Sequence, residues 1–553
     1  MDIVLVGLPG SGKSVVGRRL AHRHGAAFID LDDLVERSDG RPIPDIFAED
    51  GEAAFRTLER QAITGLGPAD TAPAISRVIA TGGGAVVEPA NRWALYRGRV
   101  TVWLDGRPEV LAQRLRRSPN VRPLVTGHDP IGTIRGLAQR RERYYAAADI
   151  RQSGVAEIAG VVDAIERRVH ELARGVLAPD GPSVLLDAPT PLGRFLLGDR
   201  IAAPSLIETV RRMDAGRAIL VSEPGAWSAV GEALAARLMT AGLPSERILL
   251  PQGEAAKRMA VVATAASELA GLGVGRDETL VAIGGGALGD AAGFLAATYL
   301  RGLPLIHVPT TLVAQIDSSI GGKTAIDLPE GKNLVGAFHQ PIAIIADVAT
   351  LATLPARDLR AALGEAVKMA ALGDERLFDL LERDGPAIAD APADQIERGV
   401  VAELVERCGW AKMEVVMADE RERANEGGRI TLNLGHSLGH AVEAAGGYAD
   451  LLHGEAVAYG LRAACEIGRA MGVTPPERAG RILGLIDRVG LAREPLPYPL
   501  ETVLRHLRVD KKHVGGKLRW VLPTADGVTI RADVPAEVVS AAAASMLMRG
   551  RTS

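Results

Sequence analysis

Cysteine is scarce in this chain, and an excess of charge of one sign is absent. The 553 residues include two cysteines, Cys408 and Cys465. Two thiols in a long chain do not build a disulfide framework, so we expect a reducing, cytoplasmic compartment. The 64 basic and 68 acidic residues leave a net charge of −4. That balance gives no reason to expect nucleic acid or membrane partners, and we expect small-molecule substrates.

Long apolar runs are missing as well. The N-terminal run 1–6 has no basic leader and is too short for a signal peptide or a membrane span, so we interpret it as a first strand. We find no internal repeat and no low-complexity segment. With 47% hydrophobic and 24% charged residues the chain should be globular, and its length predicts roughly three domains.

The first third of the sequence alternates between short apolar runs and amphipathic segments. The strand-like runs are 3–6, 28–30, 78–80 and 100–104, with helical sequence between them. This alternation predicts a parallel sheet. A helical pattern at 156–172 is followed by two prolines and a glycine within 178–182, which is typical of a linker.

Beyond this linker the pattern is again α/β and then mostly helical. Strand-like runs at 195–197, 218–221, 248–250 and 280–283 alternate with helical patterns. From about residue 355 helical periodicity dominates until 518–522. We therefore predict a first domain of 1–175, a linker of 176–183, an α/β domain of 184–355 and a helical domain of 356–548.

The first candidate site is the segment 7–14, which reads GLPGSGKS and fits G-x-x-x-x-G-K-[ST]. It lies between a predicted strand and a predicted helix, the context that this phosphate-binding motif requires. Glycines let backbone N–H groups turn toward phosphates, and the helix N-terminus adds its partial positive charge. Lys13 would reach the β- and γ-phosphates and Ser14 would bind Mg²⁺. The predicted ATP-binding residues here are Gly10, Ser11, Gly12, Lys13 and Ser14.

Five further motifs follow the octet in order. They are 28–33 (FIDLDD), 54–56 (AFR), 81–86 (TGGGAV), 121–124 (VRPL) and the pair Arg140 and Tyr144. Together with the octet this set resembles shikimate kinase from residue 1 to about residue 170. The resemblance implies a P-loop kinase domain with a parallel sheet and the ATP- and Mg²⁺-dependent 3-phosphorylation of shikimate.

The same resemblance implies roles for residues outside the octet. Asp30 would help Ser14 to hold Mg²⁺ through water, and Asp32 would orient the attacking hydroxyl. Adenine would contact an arginine of the stretch 116–120. Because this stretch is one residue shorter than expected, that arginine is either Arg117 or its neighbour Arg116. Guanidinium forks suit a planar carboxylate. The implied substrate contacts are Arg56 and Arg140 with the carboxylate and Gly83 and Gly84 through the backbone. Arg122 on a closing lid would bind ATP and neutralise charge on the transferred phosphoryl group, and with Lys13 and Asp32 it forms the implied catalytic set.

Three histidines and a glutamate suggest a second site. His436 and His440 are four residues apart, hence on one helical face, with His453 downstream and Glu365 upstream. Two histidines and a carboxylate leave a position open for substrate on a divalent metal, as in catalytic zinc sites. A histidine pair with this spacing is by itself more often a surface or core feature, so the surrounding motifs decide.

Six motifs upstream supply that context. They are 252–257 (QGEAAK), 284–290 (GGGALGD), 296–302 (AATYLRG), 309–311 (PTT), 317–327 (DSSIGGKTAID) and 331–334 (GKNL). This series resembles 3-dehydroquinate synthase over residues of about 183 to 545. The resemblance implies a Rossmann-like α/β domain followed by a mostly helical domain, with NAD⁺ and Zn²⁺ or Co²⁺ as cofactors. The glycine triplet is not the standard dinucleotide fingerprint; we interpret it as a close backbone approach to the pyrophosphate at a helix N-terminus.

The resemblance also implies the residues of this second site. The metal ligands would be Glu365, His436 and His453, and the catalytic set Asp317, Lys323 and His440. The NAD-binding residues would be Glu254, Lys257, Gly285, Gly286, Asp290, Thr310, Thr311, Lys323, Lys332 and Thr353. The sugar phosphate would meet Arg301, Asp317, Lys323, Lys332, Asn333, Lys368, Lys412, Arg429, Asn433, His440 and Lys511, with Lys512 as the alternative to Lys511. Arg301 would reach into the site of a second subunit, because the family forms dimers.

The implied reaction explains why so many anchors are present. In this family 3-deoxy-D-arabino-heptulosonate 7-phosphate is oxidised by NAD⁺ at one alcohol, loses phosphate, is reduced again and closes to 3-dehydroquinate. A site that mainly holds conformations needs cationic and hydrogen-bonding anchors and few dedicated bases. The two implied reactions are not consecutive in the shikimate pathway, so the fusion does not imply direct channelling.

Two alternatives to a bifunctional shikimate-pathway enzyme are open. Sugar-phosphate cyclases that make aminocyclitols or valiolones share zinc, NAD and many of these motifs, but their substrates lack the C1 carboxylate. Arg429, seven residues before His436, is the basic residue that this carboxylate needs. In the other alternative, one half is an inactive regulatory domain. The expected chemical residues are present in both halves, which argues against this.

Overall fold

The computed structural model describes residues 1–70, 72, 74–117, 129–173, 181–424, 427–509, 513–514 and 517–548. The chain divides into two compact units: Met1–Thr190 with Arg194–Pro204, and Pro191–Gly193 with Ser205–Ser553. The predicted linker lies largely outside the described residues. Arg122, Lys511 and Lys512 also lie outside them, so their assignments stay predictions.

A five-stranded parallel sheet forms the centre of the first unit. Its strands are β1 (Asp2–Val6), β2 (Ala27–Asp30), β3 (Arg77–Ala80), β4 (Val100–Asp105) and β5 (Ile150–Ser153). All pairings are parallel, in the order β2-β3-β1-β4-β5. The predicted parallel sheet is confirmed. Strand β5 was not predicted, because its sequence IRQS contains no run of apolar residues.

Helices connect these strands and cover the sheet. They are α1 (Lys13–His24), α2 (Leu31–Asp39), α3 (Ile43–Glu49), α4 (Gly51–Gly65), α5 (Pro89–Tyr96), α6 (Pro108–Arg117), α7 (Pro130–Tyr145) and α8 (Ile158–Ala173). The apolar faces of α1 and α8 join β1 in one buried cluster that includes Leu5, Leu20 and Ile165. Burial of this kind stabilises a domain by about 25 cal/mol per Å² of apolar surface. The core therefore fixes both ends of the loop between β1 and α1.

Two further strands, β6 (Ser183–Thr190) and β7 (Gly193–Asp199), are neighbours in a sheet and fall almost entirely in the first unit. The buried Asp199 carboxylate lies 3.2 Å from Nε of Arg97 in this unit. A buried carboxylate needs such a partner. The compact unit therefore extends beyond residue 175, and the predicted domain bounds remain a prediction.

The second unit begins with another α/β arrangement. Its strands are β8 (Ala218–Ser222), β9 (Ser245–Leu249), β10 (Thr279–Gly284), β11 (Leu305–Pro309), β12 (Lys323–Leu328), β13 (Gly331–Phe338) and β14 (Ala343–Asp347). Five of them lie side by side and parallel in the order β14-β11-β10-β8-β9. The predicted second α/β sheet is confirmed. Strands β12 and β13 form an antiparallel hairpin that the sequence did not predict.

Helices α9 to α13 accompany this sheet. They are α9 (Ala202–Arg212), which contains the boundary between the units, α10 (Pro224–Ala226), α11 (Glu232–Thr240), α12 (Met259–Gly271) and α13 (Gly286–Thr298). Helix α13 follows β10 directly, so its N-terminus lies at the carboxyl end of the sheet. That edge is where open α/β sheets bind ligands.

The remainder of the chain is mostly helical, as predicted. Its helices are α14 (Ala356–Ala371), α15 (Glu375–Asp390), α16 (Pro392–Glu397), α17 (Val400–Ala418), α18 (His436–Ala445), α19 (His453–Ala470), α20 (Pro476–Arg488), α21 (Leu500–Val509) and α22 (Ala536–Ser545). Short strands β15 (His513–Val514), β16 (Lys517–Leu518), β17 (Trp520–Pro523) and β18 (Val528–Arg531) form two hairpins. Among the described helices, none combines the length and apolarity needed to cross a membrane.

Candidate active sites

The loop between β1 and α1 surrounds the ammonium group of Lys13. Gly10 and Gly12 have φ values of 83° and 95°, which side-chain-bearing residues rarely adopt. Nζ of Lys13 donates to the carbonyl oxygens of Gly7 and Leu8, at 2.8 and 3.1 Å. The first N–H groups of α1 and the positive end of its dipole face this loop, so a phosphate group fits here.

Two predicted aspartates lie where β2 ends and α2 begins. Oδ1 of Asp30 accepts a hydrogen bond from the backbone N–H of Asp32 at 3.2 Å and thereby caps α2. A Cβ at Gly82 would lie 2.8 Å from Oδ1 of Asp32. The Asp32 carboxylate therefore faces the loop that follows β3.

The loop Gly82–Gly84 also contacts Arg56. A Cβ at Gly84 would lie 2.6 Å from Nη2 of Arg56, so only glycine fits there without a shift. The guanidinium group of Arg56 is itself held by Glu52 and Glu59, with N···O distances of 2.9 and 2.8 Å. Burial raises the pKa of Glu59, although Arg56 opposes this effect. The structure thus brings Asp32, Gly84 and Arg56 to one place.

Two further predicted arginines of the kinase unit, Arg140 and Arg117, are exposed. Arg140 is exposed on α7, whereas its neighbour Arg141 is buried and donates to the carbonyl oxygen of Gly83 at 2.9 Å. Arg117 is exposed at the end of α6. Arg114, one helical turn earlier, donates to the Gly154 carbonyl oxygen at 2.8 Å, and its Nη1 lies 3.9 Å from a Cβ built at Gly12. Arg114 and Arg141 were not named from the sequence.

The second site is centred on Glu365 in α14. Its Oε1 lies 3.4 Å from Nε2 of His436 and 3.2 Å from Nε2 of His453. These histidines are the first residues of α18 and α19, and His440 follows one turn along α18. The three histidines can bring one nitrogen each within 4.8 Å of one another. The predicted metal ligands and His440 are therefore adjacent.

The surroundings orient both predicted histidine ligands. Nδ1 of His436 lies 3.1 Å from the carbonyl oxygen of Leu434, and Nδ1 of His453 lies 3.4 Å from Oε2 of Glu443. In each ring Nε2 is then directed toward Glu365, the arrangement usual around metal-ligating histidines. Within the described residues neither carboxylate oxygen of Glu365 makes a hydrogen bond of normal geometry. Two imidazole nitrogens and a carboxylate fit Zn²⁺ or Co²⁺.

A series of ion pairs with alternating charge runs from Glu365 to Lys412 in α17. Lys368 pairs with Glu365 and lies 3.4 Å from Oδ1 of Asp317, and Lys412 lies 2.9 Å from Oδ2 of Asp317. Burial would raise the pKa of Asp317, but Lys368 and Lys412 outweigh it and lower that pKa to about 2. The Asp317 carboxylate is therefore ionised at neutral pH and can accept a hydrogen bond from a substrate hydroxyl.

A second series of contacts leads from His453 toward the α/β sheet. Glu443 contacts His453, and one of its oxygens lies 2.9 Å from Nζ of Lys332, which is 3.1 Å from Glu254. The Tyr448 ring centroid lies 4.6 Å from the same ammonium group. Burial opposes ionisation of Glu443, but His453 and Lys332 lower its pKa to about 2. This contact series joins the metal-site histidines to the motif 252–257.

Lys257 connects that motif to α13. Its Nζ lies 2.8 Å from Oδ2 of Asp290 and also donates to the side-chain oxygen of Asn333. Asn333 has a φ of 55°, and Oδ1 of Asp327 accepts its N–H at 2.8 Å. The β12–β13 hairpin, which carries Asn333, is thereby attached to the glycine-rich helix start.

Four segments meet at the carboxyl ends of β8, β10 and β11. A Cβ at Gly285 would lie 3.2 Å from Cγ2 of Thr311, and the Thr310 N–H donates to the Gly284 carbonyl oxygen at 3.0 Å. Glu223 at the end of β8 accepts from the N–H groups of Gly253 and Gly285, at 2.8 and 3.5 Å. This edge is the position at which open α/β sheets hold dinucleotides.

The remaining predicted residues divide into those with partners in the helical part and those on exposed turns. Arg429 is buried and donates to the carbonyl oxygens of Gly321 and Glu420, at 3.0 and 2.7 Å. Glu422 accepts from both Lys323 and Asn433. Thr353 and Arg301 are exposed, at the ends of 3-10 turns 348–353 and 299–301. The structure brings neither of them into the clusters described above.

The sequence analysis did not name three acidic residues and one aromatic residue around this site: Glu223, Glu422, Glu443 and Tyr448. Glu223 follows a buried strand directly, and Glu443 lies three residues after His440 on the same helix. The sequence could have indicated both: Glu223 by its position at the carboxyl end of a strand, and Glu443 by its place on the same helical face as His440. Glu422 and Tyr448 stand in segments without a periodic pattern, so only the folded chain reveals their contacts.

Comparisons with known proteins match both parts of the chain. The family model for shikimate kinase matches residues 9–169. The models for the N-terminal and C-terminal parts of 3-dehydroquinate synthase match residues 247–361 and 362–513. The 3-dehydroquinate synthase of Pelobacter propionicus is 42% identical over 322 residues, covering 58% of this chain and 88% of that protein. The corresponding enzyme of Symbiobacterium thermophilum is 45% identical over 328 residues, with coverages of 58% and 88%.

Solved structures resemble the larger part. The 2-epi-5-epi-valiolone synthase of Streptomyces hygroscopicus, solved with NAD⁺ and Zn²⁺ bound, is 28% identical with a TM-score of 0.58, covering 64% of this chain and 96% of that one. A 2-deoxy-scyllo-inosose synthase complexed with carbaglucose-6-phosphate, NAD⁺ and Co²⁺ is 26% identical with the same TM-score, covering 64% and 97%.

Proposed function

The chain belongs to the 3-dehydroquinate synthase family and carries a shikimate kinase domain ahead of that part, and from this premise we propose which residues perform its two reactions. It is a bifunctional enzyme of the shikimate pathway. One activity transfers phosphate from ATP to shikimate. The other converts 3-deoxy-D-arabino-heptulosonate 7-phosphate to 3-dehydroquinate and phosphate. Each activity is assigned to one compact unit. The contacts of Lys13 lie in the first unit and those of Glu365 with the histidines lie in the second, which supports this division.

In the kinase unit, phosphate binding rests on the loop that holds Lys13. Lys13 exchanges its contacts with Gly7 and Leu8 for the phosphates of ATP. Ser14 and Asp30 hold Mg²⁺, which supplies charge neutralisation for the phosphates when bound. Phosphoryl transfer depends mainly on positioning and charge stabilisation, so few dedicated groups are needed.

Shikimate binds between α2, α4 and the Gly82–Gly84 loop. Asp32 accepts a hydrogen bond from the reacting hydroxyl and orients it toward the phosphate loop. Arg56 turns its guanidinium group to the carboxylate, which replaces part of its pairing with Glu52. The contact between Gly84 and Arg56 supports this assignment.

In the synthase unit, Glu365, His436 and His453 hold a divalent metal ion, and the sheet edge at Gly285 and Gly286 holds NAD⁺. When bound, the metal supplies a Lewis acid for a substrate hydroxyl and NAD⁺ a hydride acceptor. Asp317 binds and orients a substrate hydroxyl through its ionised carboxylate. His440, next to the metal ligands, supplies a hydrogen bond to the substrate. The convergence of Glu365 with His436 and His453 is the observation that carries this proposal.

The cationic groups around that centre anchor the sugar phosphate. Lys332 and Lys368 each lie between two carboxylates, and Lys412 lies beside Asp317, so their ammonium groups are held in place before substrate arrives. Preorganised cations bind a dianion with little loss of side-chain entropy. Lys323, Asn333 and Asn433 complete the proposed anchors.

Arg429 distinguishes a 3-dehydroquinate synthase from the related cyclases. We expect the chain to convert the heptulosonate phosphate at least about a hundredfold more efficiently in kcat/KM than a heptulose phosphate without the carboxylate, because an unpaired buried charge costs several kcal/mol. An Arg429→Met variant should lose most of this preference. Measuring both substrates with both proteins tests the assignment. Equal turnover of the two substrates by the natural chain would favour the alternative cyclase activity.

We propose that the chain works as a homodimer in which Arg301 completes the partner's site. Leu300, Arg301 and Gly302 have φ values of 48°, 68° and 130°, a strained run that presents the exposed Arg301 side chain outward. Maintaining such backbone strain favours a functional role for this turn.

Mixed dimers test this arrangement. An Arg301→Ala chain and a His436→Ala chain should each be almost inactive as synthases. Unfolding and refolding them together in equal amounts should recover about a quarter of the natural activity, because half of the dimers are mixed and each mixed dimer has one complete site. A mixture that recovers no activity would show that Arg301 acts within its own subunit, and an Arg301→Ala chain that is fully active by itself would show that Arg301 has no role in the reaction.

We also propose a cytoplasmic location. Cys408 and Cys465 are both buried and not in a disulfide. A reducing compartment suits these thiols and supplies ATP, NAD⁺ and both substrates.

A further inference from the structure

One backbone oxygen in the kinase unit receives two side-chain donors from the same helix. Nη1 of Arg141 and the hydroxyl of Tyr145 both donate to the carbonyl oxygen of Gly83, at 2.9 and 2.5 Å. Arg141 is 9% exposed and Tyr145 is 1% exposed. The two residues are one helical turn apart on α7, so one face of that helix holds the loop between β3 and α5.

The loop held in this way packs closely against three neighbouring residues. A Cβ at Gly82 would lie 2.8 Å from Oδ1 of Asp32, one at Gly83 would lie 2.8 Å from Cδ of Pro9, and one at Gly84 would lie 2.6 Å from Nη2 of Arg56. The three glycines therefore touch the proposed hydroxyl acceptor, the phosphate loop and the proposed carboxylate ligand. A shift of the Gly83 carbonyl group would move the neighbouring Gly82 and Gly84 relative to Asp32 and Arg56.

The donors themselves rest on rigid supports. The Tyr145 ring packs against Trp103 with centroids 6.0 Å apart, and Trp103 is paired in the sheet with Val6, the residue before the phosphate loop. Burial raises the pKa of Tyr145 to about 12, so its hydroxyl remains a donor at neutral pH. The neighbouring Arg140 is exposed, and the hydroxyl of Tyr144 accepts a hydrogen bond from Nη2 of Arg143 at 2.9 Å.

We propose that Arg141 and Tyr145 are positioning residues for shikimate binding: they hold the Gly83 carbonyl oxygen and so set the glycine loop against Asp32 and Arg56. This inference rests on the proposed kinase function. Neither residue is among the proposed ATP-binding residues. Their effect should fall on the affinity for shikimate and leave the affinity for ATP unchanged.

Because both donors serve one acceptor, the effects of removing them are not independent. Tyr145→Phe or Arg141→Met leaves the Gly83 oxygen one partner, and each should raise the KM for shikimate about threefold. The double variant leaves that buried oxygen without a donor and should raise it more than about tenfold, beyond the product of the single effects. Arg141→Lys keeps a donor and should restore part of the affinity. The KM for ATP should stay within about twofold throughout.

Tyr144→Phe is the matched control, since it removes a hydroxyl from the adjacent residue, and it should leave both KM values unchanged. Thermal unfolding of each variant separates positioning from folding. If the melting temperature falls while the KM for shikimate does not change, or if both KM values rise together, the positioning role is wrong. If the natural chain forms no ADP on addition of shikimate, the proposed kinase function fails instead.

Discussion

Replacing Lys13 with alanine should abolish shikimate phosphorylation and leave 3-dehydroquinate formation unchanged. We expect kinase turnover to fall by more than about a hundredfold, because a preorganised cation on the transferred phosphate contributes at least as much as one oxyanion donor. Lys13 is also the first lysine in the chain, and the next is Lys257, so no other lysine of the kinase unit can take its place. ADP formation with shikimate and 3-dehydroquinate formation are measured on one preparation.

The control for this variant lies on the same helix. Arg23 forms exposed ion pairs with Asp163 and Glu166, with N···O distances of 2.5 and 2.8 Å. Exposed pairs of this kind contribute between about 0 and 1 kcal/mol, so Arg23→Ala should retain kinase activity within about twofold. Kinase activity that survives in Lys13→Ala would mean that another group carries the phosphates. Loss of both activities in that variant would indicate a damaged fold.

Lysine was the most informative residue type in the sequence. Only nine lysines occur in 553 residues, although arginine is abundant. Eight of them lie in the motifs or stretches from which the sites were predicted: Lys13, Lys257, Lys323, Lys332, Lys368, Lys412, Lys511 and Lys512. Lysine offers a compact point charge with three rotatable donors, which arginine does not replace. In a chain whose other cations are arginines, a lysine therefore indicates a place where that geometry is needed.

Most of the fold was also readable, because it follows from local patterns. The loop at 7–14 predicts a strand before it and a helix after it, and β1 and α1 have those positions. Strands β6, β11 and β14 were not named, although each contains an apolar run. Strand β5 and the β12–β13 hairpin were missed because their residues have no apolar run or clear alternation. Their formation depends on neighbours that are distant in sequence, which local propensity does not describe.

Local sequence patterns also limited the prediction of the site residues. Arg141 was not named, because spacing alone does not show which face of α7 meets the glycine loop; the contact of Arg140 with the shikimate carboxylate stays a prediction. Glu443 was missed for a related reason, because a carboxylate near a histidine motif is unremarkable until it is found between His453 and Lys332. Contacts between separate elements decided these positions.

In the proposed metal site, His436 and His453 are ligands and His440 contacts the substrate, and paired variants test that division. His436→Asn should lose bound zinc, and 3-dehydroquinate formation should fall more than about a hundredfold, since changing even an outer-shell partner costs 10–100-fold. His440→Asn should also lose synthase turnover but retain zinc, because Oε1 of Glu365 faces Nε2 of His436 and of His453. Zinc per chain, measured by mass spectrometry after dialysis against a weak chelator, distinguishes the two variants.

The kinase activity of the same preparations is the internal control, and it should stay within about twofold of the natural chain, because the two sites lie in separate compact units. A His440→Asn chain that loses its zinc would make the three histidines the ligand set, which their mutual approach within 4.8 Å also permits. A His436→Asn chain that keeps both zinc and turnover would contradict the assignment of Glu365, His436 and His453. Glu365→Gln then provides an independent check, because it removes the negative charge from that centre and retains the side-chain volume.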